Sequence, residues 1–180
     1  MAIKTFILEN HPEKEARHAA VQKAVQEFLE DPAVRVVYDA KGKPTVEDAK
    51  QPRFISITTT GAVMLCVLSD TPVGIDGERL DRFGPDTKTD YIALAERFFS
   101  EDEADYVREG GEGEALRFVR VWVRKEAYVK LTGKGLVDFP NFSVIEGEKF
   151  SSKVNGVPLK RFNINFPESS EYLFAIAGLD

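Results

Sequence analysis

The segment that most restricts how this chain can fold is Trp122-Val123-Arg124-Lys125-Glu126-Ala127-Tyr128-Val129-Lys130. It forms the second half of a helix expected to begin near Glu114. Leu116, Val119, Trp122 and Val129 fall at helical spacing and mark the side that faces a core. Glu126 lies within that stripe, four residues after Trp122 and seven after Val119. A carboxylate on an apolar face is costly to bury unless a positive charge or a metal answers it. Lys130, one turn on, can pair with it. Taken alone, the segment fits an amphipathic helix with a partly solvated Glu126–Lys130 bridge.

A second segment adds to it. Val73-Gly74-Ile75-Asp76-Gly77-Glu78 has the character of a strand end. Residues two apart on a strand point to one face, so Asp76 and Glu78 present two carboxylates about 7 Å apart at the backbone. Like charges that close repel unless a cation stands between them. Magnesium takes oxygen ligands and commonly combines a few carboxylates with waters and substrate phosphates. Three acids from two elements, with lysines beside them, suit a magnesium–phosphate site. An exposed acidic turn fits the same residues in a chain with 30 Asp and Glu.

Composition narrows the classes. With 180 residues the chain makes one domain or two small halves, enough to bury roughly 70% of its unfolded surface. At 43% hydrophobic and 30% charged it reads as globular. A net charge of −6 argues against nucleic acid as partner. The single cysteine, Cys66, excludes an intrachain disulfide and makes the cytoplasm the default setting. The start of the chain lacks a long apolar run, so no signal peptide is expected. The longest such run, Ala62 to Leu68, is too short to span a bilayer, so no membrane partner is expected. The two histidines, His11 and His18, fall near the start of a first helix and are expected at its surface. No zinc spacing and no Cys/His or Ser/His arrangement is present.

Along the chain, Lys4 to Glu9 reads as a strand and Asn10-Pro12 as a helix start. A helical stripe then runs to about Glu30. Val34 to Asp39 is β-rich, and Ala40 to Pro44 is a turn. Phe54 to Thr60 and Ala62 to Leu68 form a hairpin or two adjacent strands. Arg79 to Thr89 is a polar loop with Gly84-Pro85. Asp90 to Phe99 is a helix, and Ser100-Glu101-Asp102-Glu103 is a capping box opening another. Gly133 ends the main helix. Strands are expected over Phe142–Ile145, around a hairpin at Asn155-Gly156, over Lys160–Phe166 and over Tyr172–Ala177.

Four motifs occur in a fixed order: Gly74-Ile75-Asp76-Gly77-Glu78, Phe98-Phe99-Ser100-Glu101-Asp102-Glu103, Trp122 to Lys130, and Gly133-Lys134-Gly135-Leu136. Order and spacing resemble those of the 4′-phosphopantetheinyl transferase superfamily over residues 42–136. The resemblance is to its longer, two-half type in abbreviated form. It implies an α+β fold of two similar α+β halves, a pseudo-dimer with the active site in the cleft between them. The halves would be residues 1–75 and 76–180, the second carrying the metal motifs. The implied activity moves 4′-phosphopantetheine from coenzyme A to a serine of an acyl or peptidyl carrier protein, with Mg2+, in a monomer.

The resemblance assigns Asp76, Glu78 and Glu126 to the metal and Glu126 and Lys130 to catalysis. It assigns Lys43 and Pro44 of the Gly42-Lys43-Pro44 turn, with Thr59, Thr60 and Lys125, to coenzyme A. Arg17 is a further candidate for its phosphates, and the carrier protein would dock around Gly110–Gly113. Two residues depart from the pattern. Thr59 stands where the family carries a histidine facing those phosphates, a loss of one charge-assisted bond of about 1.5–3 kcal/mol. Gly77 replaces a large aliphatic residue and is expected to loosen or bulge the strand. These departures motivate a rival: a binder of coenzyme A or a carrier protein that transfers nothing. A magnesium phosphodiesterase using the same acids is a third reading.

Overall fold

The computed structural model describes residues 3–83, 87–147 and 149–179, so Gly84-Pro85 of the expected polar loop lies outside the described residues. The chain is α+β. Strand β1 (Ile3–Glu9) leads into helix α1 (Lys14–Leu29), then a hairpin of β2 (Arg35–Tyr38) and β3 (Pro44–Glu47). Strands β4 (Phe54–Thr60), β5 (Val63–Ser69) and β6 (Gly74–Arg79) follow. Three helices come next: α2 (Tyr91–Phe98), α3 (Glu101–Arg108) and α4 (Glu114–Thr132). The rest is β7 (Ile145–Glu146), β8 (Lys149–Phe150), β9 (Lys153–Val154), β10 (Val157–Arg161) and β11 (Tyr172–Ala177).

Two antiparallel sheets carry the architecture, β1-β5-β4 and β6-β11-β10-β9. Strand β5 is buried on both faces. Leu65 and Val67 pack with Ile75, Phe174 and Ile176, while Met64, Cys66 and Leu68 pack with Val21 and Val25 of α1. Two-sided burial is why this strand reads as an unbroken apolar run instead of alternating. The burial also pushes the Cys66 thiol up to about 12, leaving it protonated and inert.

The sheets are joined by side chains. On β4, the hydroxyls of Ser56, Thr58 and Thr60 accept hydrogen bonds from the amides of Ile75, Gly77 and Arg79 on β6. The strand period of two makes this possible: every second residue of each strand faces the other. Strand β6 is continuous, with Gly77 paired to Phe174 of β11. The expected bulge is therefore absent. A Cβ on Gly77 would lie 2.0 Å from the Phe174 ring, so glycine here makes room for an aromatic packed across the strand. Gly74 serves the same purpose for α4, since a Cβ there would lie 2.0 Å from the carbonyl oxygen of Ala127.

Helix α4 ends at Gly133, whose φ of 76° is the left-handed conformation that closes a helix. The capping box at Ser100 is formed, with Ser100 and Glu103 bonded reciprocally. Asn155 and Gly156 both take positive φ at the β9–β10 turn, as a two-residue hairpin requires. Leu116 departs from the expected stripe: it is 41% exposed, while Phe118, Val119, Val121 and Val123 are buried. Helix α4 packs against α2 and α3 as well as β6 and β11, so its buried surface is broader than one stripe. The strand expected over 142–145 shrinks to Ile145–Glu146 because side chains bond that backbone. The Phe142 carbonyl accepts from Lys125 and the Val144 amide donates to Glu103. The strand expected over 160–166 ends at Arg161, and Pro44–Glu47, not expected as a strand, pairs with β2.

Candidate active site

The end of β6, the middle of β4 and the outer face of α4 meet α1 and the β2–β3 hairpin around a cleft of about 380 Å3. Asp76, Glu78, Glu126 and Lys130 all line it, as do Trp122, Thr58 and Thr59. A second cavity of about 640 Å3 adjoins it, sharing Gly42, Pro44, Ile57, Glu126 and Lys130.

Each carboxylate has a different set of partners. Asp76 is buried, and its Oδ1 accepts from Lys130 Nζ at 2.7 Å and from Thr58 Oγ1 at 3.1 Å. Its Oδ2 is buried with no hydrogen-bond partner. Glu78 Oε2 accepts from Arg82 at 2.7 Å and Thr60 Oγ1 at 3.3 Å. Glu126 has no hydrogen bond or ion pair among the described residues. Burial, and then the nearby Asp76 charge, raises the Glu126 carboxyl to about 7, while Lys130 pulls it back. Burial likewise raises Glu78, opposed first by Arg82. The expected Glu126–Lys130 bridge is replaced by a bond from Lys130 across to Asp76.

Among the described residues no three Asp, Glu, His or Cys side chains are grouped so as to hold a metal as they stand. The donor chemistry nevertheless fits a hard cation: three carboxylates line one cleft, the Asp76 charge raises the proton affinity of both Glu78 and Glu126, and one Asp76 oxygen is buried without a partner.

Of the residues assigned to coenzyme A, Pro44 lines both cavities and exposed Lys43 lines the larger. Lys43 Nζ comes within 3.4 Å of where a side chain on Gly133 would begin, so the turn reaches the C-terminal end of α4. Thr59 is exposed and lines the cleft. Thr60 does not line it: it is 3% exposed, and its hydroxyl is used by the Arg79 amide and Glu78.

Lys125 is also turned away from the cleft. It is fully buried against Glu103, with Nζ 2.6 Å from Oε2, and donates to the Phe142 carbonyl among the rings of Phe99, Phe139 and Phe142. A buried lysine bonded to a buried glutamate is a structural strut, which removes it from the residues that meet phosphate. Arg17 lines the cleft, held by the carbonyls of His11 at 2.6 Å and Pro12 at 2.9 Å.

Three residues here carried no distinctive signal. Thr58 holds Asp76, and the alternation of Ser56, Thr58 and Thr60 was the available clue. His18 and Tyr38, distant in sequence, stack with ring centroids 3.6 Å apart and both line the cleft, so His18 is half-buried where a surface position was expected.

The ordered motifs on this geometry match a known family. A profile of the 4′-phosphopantetheinyl transferase superfamily matches residues 72–177, more than half of the chain, and the chain belongs to that superfamily. Among similar proteins are the 4′-phosphopantetheinyl transferases psf-1 of Bacillus pumilus, 32% identical, and Sfp of Bacillus subtilis (strain 168), 30% identical. Each alignment covers 64% of this chain, and 48% and 49% of the respective relative. The 4′-phosphopantetheinyl transferase HetI of Nostoc is 29% identical over 64% of this chain and 48% of its own. The chain thus spans about half the length of these relatives. Among the described residues no helix is long and apolar enough to cross a membrane.

Proposed function

We propose that this protein transfers the 4′-phosphopantetheine of coenzyme A to a serine of an acyl or peptidyl carrier protein, with Mg2+ as cofactor. The observation that carries this reading is the convergence of Asp76, Glu78 and Glu126 on one cleft beside Lys130, with one Asp76 oxygen unpartnered. Asp76, Glu78 and Glu126 would hold the magnesium, which would neutralise charge developing on the nucleotide phosphate as adenosine 3′,5′-bisphosphate leaves.

The serine oxygen bonds to the phosphorus that carries pantetheine, and the bond from that phosphorus to the nucleotide phosphate breaks. The serine proton passes to Glu126 or to a water held beside it. Lys130 keeps Asp76 oriented and supplies positive charge beside it. Lys43 and Pro44 from one side and Thr59 from the other border the space for coenzyme A. Residues 1–75 and 76–180 would be the two halves, each with an antiparallel sheet and a long helix. A cytoplasmic monomer is part of the same reading.

The test is the intact mass of an apo carrier protein incubated with this protein, coenzyme A and magnesium, beside Glu126→Ala. A gain of one phosphopantetheine that needs Glu126 is expected. Binding of coenzyme A with no gain on several carrier proteins would overturn transfer in favour of binding alone, the reading that Thr59 favours. Release of free phosphopantetheine would point to hydrolysis.

A further inference from the structure

The rim of the cleft on the α1 side differs from its acidic floor. Arg17 and His18 are adjacent on α1 and both line the cleft. The His18 ring lies flat on Tyr38, at 3.6 Å and 4° between planes, so its orientation is fixed by the β2–β3 hairpin. Beside it, the Tyr38 hydroxyl is buried with no hydrogen-bond partner among the described residues. Tyr38 therefore serves as a fixed stacking surface, its closed-off hydroxyl having the core thiol Cys66 among its neighbours, and the imidazole is the donor that borders the cleft. Arg17, whose Nη1 is tied to two carbonyls, adds a fixed positive charge. Thr59 offers the same cleft a hydroxyl and no charge.

We propose that His18, clamped on Tyr38, receives a phosphate of bound coenzyme A and takes up a proton as it does so, making binding in this protein proton-linked. The proposal rests on the transferase reading, which supplies the ligand. The groups facing the imidazole are Lys14, Glu15 and Arg17 from its own helix and Tyr38 from β2. Asp76, Glu78 and Glu126 line the same cleft.

In the free protein, burial and then the Lys14 and Arg17 charges hold His18 below its ordinary value, against Glu15. Its neutral form is thereby favoured in the free protein. A phosphate dianion at hydrogen-bond distance reverses that balance, because the charged imidazole then gains a charge-assisted bond. The proton comes from solvent.

The chain has two histidines, so its imidazole Cε1–H signals in NMR are two, and His11→Gln and His18→Gln each assign one. At pH 7.2, titration with coenzyme A should move the His18 signal to the imidazolium position and leave His11 in place. His18→Gln should weaken coenzyme A binding roughly tenfold. Saturation of the wild type with no movement of the His18 signal, or unchanged affinity in His18→Gln, overturns the inference and leaves the transferase reading intact. A wild type that binds no coenzyme A at millimolar concentration overturns both. The wild-type titration decides the matter even if a His18 variant folds poorly.

Discussion

Lys125 and Glu126 are neighbours on one helix and meet opposite fates. Lys125 points into the protein, where Glu103 answers its charge. Glu103 in turn accepts from the Ser100 and Val144 amides and the Ser100 hydroxyl. Every polar atom of that pair is used, and it ties α3 and the 142–144 segment to α4. Glu126 points into the cleft, where two further carboxylates crowd it and no bond satisfies it among the described residues. The contrast separates a charge that builds the fold from one held ready for a ligand: the first is closed by its partners, and the second is left open at a cost in stability.

The contrast breaks most readily at Lys125. Removing it leaves Glu103 ionised and buried, so Lys125→Ala should lower stability by about 3–5 kcal/mol in chemical denaturation. A loss under about 1 kcal/mol would mean that Glu103 is not the closed partner described.

Glu126 should behave in the reverse sense. Its folded value of about 7 lies above the roughly 4.3 of an unfolded glutamate, so the folded state holds the proton more tightly. Stability from this source is present below about pH 4 and is lost as pH rises through 7. In metal-free buffer at pH 8, Glu126→Gln should therefore be more stable than the wild type by about 1–3 kcal/mol, with the gap closing toward pH 4. Millimolar magnesium should narrow it. A constant gap across this range in paired melts would show that Glu126 titrates normally.

Thr58 and Thr59 sharpen the same point on a strand. Thr58→Val leaves the Gly77 amide and Asp76 without a hydroxyl and should cost about 1–3 kcal/mol. Thr59→Val, at an exposed position, should stay within about 0.5 kcal/mol. Equal losses in the two variants would show that the hydroxyl ladder does not join the sheets.

Much of the fold was readable because its signals are local. The capping box, the glycine closing α4, the Asn155-Gly156 turn and the apolar run of β5 each act within a few residues. The role of Gly77 is not written in its neighbours because its reason, the Phe174 ring, lies on a strand nearly a hundred residues later. The Phe142–Ile145 strand was overextended for a similar reason: its backbone partners are side chains of α3 and α4.

The sequence by itself determined the element types, their order and the acidic motifs of β6 and α4, because strand and helix periods are written in adjacent residues. It also determined the family, through four motifs in fixed order. Only the tertiary structure decided which charged residue is buried and which is open. It turned Lys125 to Glu103, drew Lys130 to Asp76 instead of Glu126, set Thr58 against Asp76, and brought His18 and Tyr38 to the cleft. The physical reason is that a helix packed on several sides, or a strand bonded through its hydroxyls, has its facing fixed by contacts distant in sequence. Local periodicity carries no record of those contacts.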